Sequence, residues 1–342
     1  MVEMVDLEQG ATATSLSARI VRYDDLVPCL NAFIDTRTPG SEAKENFTII
    51  GPGVSENPNQ YVHIAEPHGF NIGGARQPPA CVNSQHSHDT SETFVVHSGH
   101  WTFTFGEHGT DSHVEAGPGD IVSFPTRAFR GFANIGDDVG FLWSVLGGDD
   151  PGRVTWAPKV FELAQDYGLQ LLENGALIDT VAGEEPPAGV RPMAPTSAAD
   201  VAALAHIDQG RANTLVVRSD HFGASGQGLG AFRGVIETPL IGSSAPAEGL
   251  DAGPLDWQHG YVARRLDLEE GAHIPDHRRD APEILFVHKG SVAITVDDAA
   301  ETLGEGDTIT IPVGAVRSFA SDKPAVVFAV RGGDAPGAAD LI

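Results

Sequence analysis

The 342-residue sequence predicts an all-β protein built from two tandem β-barrels with connecting helices. Three observations carry this. Forty glycines and 23 prolines cut the chain into short segments, as many turns and many short strands require. Short apolar runs bounded by Gly, Pro, Asn and Asp recur in two stretches, and hydrophobic residues make up 41% of the chain, enough for packed cores. Most specific, one signature occurs twice. His86-Ser87-His88, Glu92 and Gly99 are followed by Gly119 and Pro125; His277-Arg278-Arg279, Glu283 and Gly290 are followed by Gly306 and Pro312. The offset is 191 in the first half of the signature (277 − 86, 283 − 92, 290 − 99) and 187 in the second (306 − 119, 312 − 125). A fixed offset with a single slip between its halves marks a duplicated unit.

Taken in order, residues 1–60 read as an N-terminal extension that packs on the barrels, with a strand and a short helix between Ala18 and Leu30. Barrel 1 spans 61–157. Its strands are expected at Phe94–Val96, Trp101–Phe105, Ile121–Phe124 and Phe141–Leu146, and the turn cluster Gly147-Gly148-Asp149-Asp150-Pro151-Gly152 closes them. A helix and a Pro/Ala-rich linker fill 158–210. Pro158 suits a first helical turn; Val160, Leu163, Ala164, Tyr167, Leu171 and Leu172 share one face; Asn174-Gly175 suits the end. Residues 182–198 read as linker, and Asp200–His206 as one more short helix. Barrel 2 occupies 211–342, with strands at Thr214–Arg218, Ile284–His288, Val292–Val296, Thr308–Ile311 and Ala325–Val330. The run Gly226-Gln227-Gly228-Leu229-Gly230 reads as a flexible loop and not a dinucleotide fingerprint, because no helical pattern follows it.

Acidic residues outnumber basic ones 47 to 21, a net charge of −26. Nucleic acid and anionic membranes are repelled by such a surface, so neither is an expected partner. Cys29 and Cys81 are too few for a disulfide framework, which points to a reducing compartment. The start, MVEMVDLEQG, is acidic and lacks the apolar core of a signal peptide, and no apolar run approaches the ~18 residues of a membrane span. The expected location is the cytoplasm.

The chemistry lies in the signature. Side chains two apart on a strand point the same way, so His86 and His88 present two imidazoles to one side. Glu92 joins them where a tight bend or the next strand brings it back. Two imidazoles and a carboxylate suit Fe(II), Mn, Ni, Co or Zn, and with open positions they match the facial triad of non-heme iron oxygenases.

The repeated pattern resembles the two motifs of the cupin superfamily, G-x5-H-x-H-x3/4-E-x6-G and G-x5-P-x-G-x2-H-x3-N. Copy one reads His86, His88, Glu92, Gly99, then Gly119, Pro125, Arg127, Arg130, Asn134; copy two reads Gly271, His277, Arg279, Glu283, Gly290, then Gly306, Pro312, Gly314, Arg317, Ser321. Two copies in register resemble a bicupin, which implies two tandem cupin (jelly-roll) barrels. Ala80 stands where copy one would have its opening glycine. Arg130 and Arg317 stand where the family places its last metal-binding histidine, and a guanidinium cannot bind a metal. Copy one therefore keeps His86, His88 and Glu92 as metal ligands. Copy two keeps His277 and Glu283 beside Arg279 and Arg317, a degenerate site expected to hold no metal.

Two readings of Arg130 stand: a catalytic-site residue that grips a substrate carboxylate or phenolate, or a buried cation paired with Glu92. In copy two, Glu283, Arg279 and Arg317 form either a structural ion-pair cluster or an anion pocket. His97, His100, His108 and His113 read as surface residues, with His100 or His113 the candidates for a fourth ligand; His273 beside copy two is similar. Cys81 reads as buried filler. Phe94, Trp101, Phe103, Phe105, Phe124, Phe129 and Phe132 read as barrel core, some lining an apolar pocket beside the metal. The resemblance implies a metal-dependent enzyme with one divalent metal per chain. Fe(II) and a dioxygenase reaction on a small oxygen-chelating, carboxylate-bearing substrate come first. A non-redox lyase or isomerase, or a metal-free ligand-binding protein, are the alternatives. A homodimer is expected, with no other protein partner.

Overall fold

The computed structural model describes residues 15–221 and 227–342. Its regular structure is mostly strand, arranged as two jelly-roll units of two sheets each. In unit one a seven-stranded sheet runs, in spatial order, Val216–Val217, Ile121–Phe124, Glu92–Ser98, Gly140–Gly147, Phe70–Gln77, Glu45–Ile50 and Val62–Ile64. Its five-stranded partner runs Val154–Trp156, Val82–His88, Arg130–Asn134, Trp101–Phe105 and Ser112–Ala116. Unit two pairs a six-stranded sheet (Ile20–Val21, Thr308–Ile311, Glu283–Lys289, Ala325–Gly332, Tyr261–Leu268, Val235–Ile241) with a five-stranded one (Ala299–Leu303, Val292–Val296, Arg317–Ser321, Ala272–Arg278, Asp340–Leu341). These strands pair antiparallel except Glu45–Ile50 with Val62–Ile64, and an isolated bridge between Ile241 and Leu255 is also parallel.

The signature glycines turn the chain between strands. Gly99 and Gly290 both have positive φ, 85° and 78°, and a Cβ there would meet the Gly140 Cα at 2.7 Å or the Pro324 carbonyl oxygen at 2.5 Å. Ala80 takes the same left-handed conformation (φ 62°) that Gly271 takes in copy two (φ 74°), so the missing opening glycine leaves the turn intact.

The sheets draw strands from beyond the expected segments. Glu45–Ile50, inside the 1–60 extension, is a full strand of unit one. Val216–Val217, inside the 211–342 segment, pairs with Ile121 and Val122 of unit one, while Ile20 and Val21 pair with Ile309 and Thr308 of unit two. Each unit thus receives a short strand from the segment leading into the other, and two exposed sheet edges are covered.

The expected helix after Trp156 is shorter than its apolar spacing suggests. It covers Pro158–Asp166, and Gly168, at φ 77°, ends it. Leu169–Leu171 and Leu177–Asp179 then form a two-stranded hairpin, so Asn174-Gly175 turns a hairpin and not a helix end. The second short helix sits at Ala198–Ala202, opened by Ser197, whose hydroxyl accepts from the Asp200 amide, and it ends at Ala203, short of the expected His206. In the 226–230 run, Gly226 lies outside the described residues, and Gly228–Ala231 form a 3-10 turn with Leu229 buried, in place of the expected loop.

Four cores matter for the site. The aromatic residues Phe94, Trp101, Phe103, Phe105, Phe124 and Phe132 fill unit one, and Phe129 packs with Trp156 and the Pro158–Asp166 helix. Mostly aliphatic residues fill unit two, together with Phe319. A further core joins the units, with Phe141, Trp143 and Val145 packed against Tyr261, Ile284 and Phe286. Trp143 stacks on Phe286 (centroids 4.8 Å, planes 11° apart) and donates to Thr308 Oγ1 at 3.1 Å. No helix among the described residues is long and apolar enough to cross a membrane.

Candidate metal centre

His86 and His88 lie on Val82–His88, and the turn at Asp89–Ser91 returns the chain so that Glu92 opens the next strand. One ligand atom from each of the three lies within 4.8 Å of the others, all buried. Strand register supplies the walls. Arg130 sits opposite His86 on one side and Trp156 opposite it on the other, with Val154 opposite His88. The His86 and His88 rings lie 5.0 Å apart, and the Trp156 ring lies 5.1 Å from His86.

The sequence holds this strand from behind. Lys44 and Asp35 form an ion pair whose side chains are both fully buried, Lys44 donates to Asn83 Oδ1 at 3.0 Å, and the Ser84 amide donates to Asp35 Oδ2 at 3.0 Å. The Ser84 carbonyl in turn accepts from His86 Nδ1 at 2.7 Å. That bond fixes the tautomer and leaves Nε2 as the lone-pair nitrogen. Burial, then the Arg130 charge, hold both imidazoles well below the usual histidine range, so both are neutral ligands.

Arg130 is the fourth member. It donates to Glu92 Oε2 at 2.5 Å and to the His86 carbonyl at 3.1 Å. Burial pushes the Glu92 carboxyl above the usual carboxylate range, and the Arg130 guanidinium offsets only part of that rise. His88 Nε2 stands 3.7 Å from the same carboxylate oxygen. His88 Nδ1 and Arg130 Nε are buried without a hydrogen-bond partner. The donor set fits a divalent metal: two neutral imidazoles, one anionic carboxylate, and a second carboxylate oxygen beside the one that Arg130 engages. The cluster borders a cavity of ≈ 60 Å³ whose lining includes Phe94, Phe132, Leu146 and Trp156 with Asn46 and Thr48. At ~10–15 Å³ per water position, that is space for only a few water-sized groups.

The neighbouring histidines stay outside. His100 is exposed and faces Glu115 at 3.3 Å, and His113 and His108 are exposed too, so none completes the ligand set. Their strand-end and hairpin positions turn them to solvent. His97 is not a surface residue: it packs between Tyr23, Phe141, Phe286 and His288 where the units meet. Cys81 is buried and unpaired by any disulfide.

Copy two brings His277, Arg279, Glu283 and Arg317 together, as the repeat implies, in a larger charged cluster. Arg279 donates to Glu248 at 2.5 Å. Glu283 lies 3.9–4.0 Å from Arg279, Arg317 and Arg331. Burial opposes its ionisation, and the three guanidiniums together overcome that and hold it below the usual carboxylate range. Sequence reading missed Glu237, Glu248, Arg264 and Arg331, which lie outside the motifs. It also missed Trp156 and the Lys44–Asp35 pair. Pairing register exposes the arginines: Glu92 lies opposite Leu146 and Glu283 opposite Arg331, while the 191 offset carries Gly73 to Arg264.

These features define a two-domain jelly-roll protein with one His-His-Glu cluster and one arginine-filled counterpart. The cupin domain model matches the chain twice, over residues 75–145 and 264–331. The chain therefore carries two cupin domains in tandem. Among solved structures, oxalate decarboxylase from Bacillus subtilis is similar over 98% of this chain and 81% of its own, at 12% identity and a TM-score of 0.56. Oxalate decarboxylase from Lactobacillus farciminis, in a formate complex, is similar over 97% and 90%, at 11% identity and 0.57. Vicilin from hazelnut (Corylus avellana) is similar over 93% and 86%, at 13% identity and 0.52. At these identities the likeness is one of fold. No curated protein sequence matches the chain.

Proposed function

We propose that barrel 1 is the catalytic barrel of a metal-dependent enzyme, an Fe(II) dioxygenase acting on a small, oxygen-chelating, carboxylate-bearing substrate. The observation that carries this reading is the buried His86–His88–Glu92 cluster at a small cavity with Arg130 beside it. When bound, the metal would supply a Lewis-acidic, redox-active centre with positions left for substrate. The remaining work belongs to the chain. Ser84 holds the His86 tautomer. Arg130 offers a planar guanidinium to a substrate carboxylate at the rim of the donor set. Phe94, Phe132 and Trp156 limit water and substrate size. The oxalate decarboxylases of similar fold act, by name, on a small carboxylate, and this supports a non-redox lyase as the second reading.

Elemental analysis of tag-free, anaerobically purified protein tests the proposal. One iron per chain is expected, lost in His86→Ala and kept in His277→Ala, with oxygen uptake on phenolic or enolic acids. A different metal at the same stoichiometry and no oxygen uptake would move the assignment to the lyase reading. A chain that takes up no divalent metal would overturn both.

A further inference from the structure

The inner face of barrel 2 carries four buried arginines, and their donors are not used up. Arg264, Arg279, Arg317 and Arg331 are each 2% exposed or less. Their buried acidic neighbours are Glu237, Glu248 and Glu283, the exposed Asp297 acts on Arg317 from the surface, and burial lowers the His277 imidazole below the usual histidine range. Four cations against three carboxylates leave at least one buried positive charge in excess (4 − 3 = +1). Nε and Nη1 of Arg264, Arg317 and Arg331, and Nε of Arg279, have no hydrogen-bond partner among the described residues. A buried charge without hydrogen bonds is strongly unfavourable, so an excess of unpartnered guanidinium donors calls for an anion.

Their places in the fold show where that anion would sit. Arg264 and Arg331 occupy the positions of Gly73 and Leu146, which line the barrel-1 cavity, and Arg279 replaces the ligand His88. The face that gathers metal ligands in one copy gathers guanidiniums in the other. A cavity of ≈ 220 Å³ opens onto this cluster through Arg264 and Glu248, walled by Ser243–Ala247 and Asp334–Ala338. Glu248 reaches in from that wall, with Oε1 2.5 Å from Arg279 and Oε2 3.9 Å from Arg331. It already shows the chemistry the cluster accepts, a carboxylate accepting from a guanidinium.

We infer that barrel 2 is a binding site for a small carboxylate, seated on Arg264 and Arg331 beside the tethered carboxylate of Glu248. The site is separate from the metal centre and needs no metal.

Calorimetric titration of the EDTA-treated intact protein, at fixed ionic strength, tests this with acetate, malonate and inorganic phosphate as probes. One acetate or malonate per chain is expected, retained when barrel 1 is disabled by Arg130→Met/Glu92→Gln. Arg264→Met should weaken that binding at least tenfold. Glu248→Gln removes the competing internal charge and should tighten it several-fold, a direction that a damaged fold would not give. Binding unchanged in Arg264→Met, or lost in the barrel-1 double variant, would overturn the inference, as would phosphate binding without carboxylate binding or no binding at all. If Arg264→Met fails to fold, Glu248→Gln decides: tighter binding supports the site, and unchanged or weaker binding refutes it.

Discussion

Replacing Arg130 by Met separates the two roles its position allows. In the metal-free protein Arg130 is the cation nearest the Glu92 carboxylate, at 2.5 Å, and the side chains are 2% and 7% exposed. Met fills much of the same volume, so packing alone costs less than ~1.5 kcal/mol. Leaving a buried carboxylate without its cation costs ~3–5 kcal/mol. Urea unfolding of EDTA-treated protein should therefore show a loss of ~3–5 kcal/mol for Arg130→Met. The double variant Arg130→Met/Glu92→Gln removes the charge as well and should regain at least ~2 kcal/mol of that loss. Metal affinity should move the other way. A divalent ion must share Glu92 with a guanidinium in the wild type, and removing that like charge should tighten metal binding at least ~10-fold, or ~1.4 kcal/mol. Activity should fall at the same time, because a substrate carboxylate loses its clamp. A metal-free Arg130→Met protein within ~1 kcal/mol of wild type, together with unchanged metal affinity, would refute the argument that the pair is ionised and shares the metal's carboxylate.

Two further outcomes test the scaffold. Glu56 is buried behind Trp156, accepting from its indole N–H at 2.6 Å and from the Ile34 amide at 2.8 Å, and burial pushes its carboxyl from 4.5 up to about 8. A raised carboxyl contributes fully below its unfolded value and loses that contribution as pH rises toward and through 8. Wild type should therefore lose ~2–3 kcal/mol relative to Glu56→Gln between pH 6 and 8, and parallel urea-stability profiles would contradict the buried neutral acid. Trp143, fully buried between the units and stacked on Phe286, should cost ~3–5 kcal/mol when changed to Ala, read as a lowered urea midpoint or as two separate transitions; a loss under ~1 kcal/mol would mean the units are joined elsewhere.

What the sequence revealed and what it hid follow from the range of each signal. Strands such as Trp101–Phe105, Val292–Val296 and Thr308–Ile311 were legible to the residue because their apolar runs end at turns. The repeat placed His86, His88 and Glu92 together because side chains two apart on a strand share a face and the turn is short. The helix overran because Leu171 and Leu172 fit helical spacing, while the positive φ of Gly168 breaks it first. The strands at Ile20–Val21 and Val216–Val217 fall where strands were expected, but two residues carry no signal for which sheet they join, so their exchange between the units was hidden. Arg264, Arg331, Glu237 and Glu248 belong to no motif; they meet the site only through register between strands and a loop far away in sequence.

Each barrel buries one glutamate at the same place, and the cations around it decide what the barrel can hold. Around Glu92 there is one guanidinium, with two neutral imidazoles on the open side, so a divalent ion can still approach. Around Glu283 there are three guanidiniums within 4.0 Å, and Arg264 stands one strand further out, beyond the strand that carries Arg331. The loss of one histidine is therefore not what disables copy two. Arg279→His would restore the spacing of His277, a second histidine and Glu283, yet Arg317 and Arg331 would still repel a divalent ion, and the Glu248 carboxylate would be released from Arg279. No second metal per chain is expected in that variant. A second metal would show that ligand identity outweighs the surrounding charge. Arg279→His combined with Arg331→Leu and Arg264→Gly, which returns the cavity wall of copy one, should come closer to a metal site than Arg279→His alone.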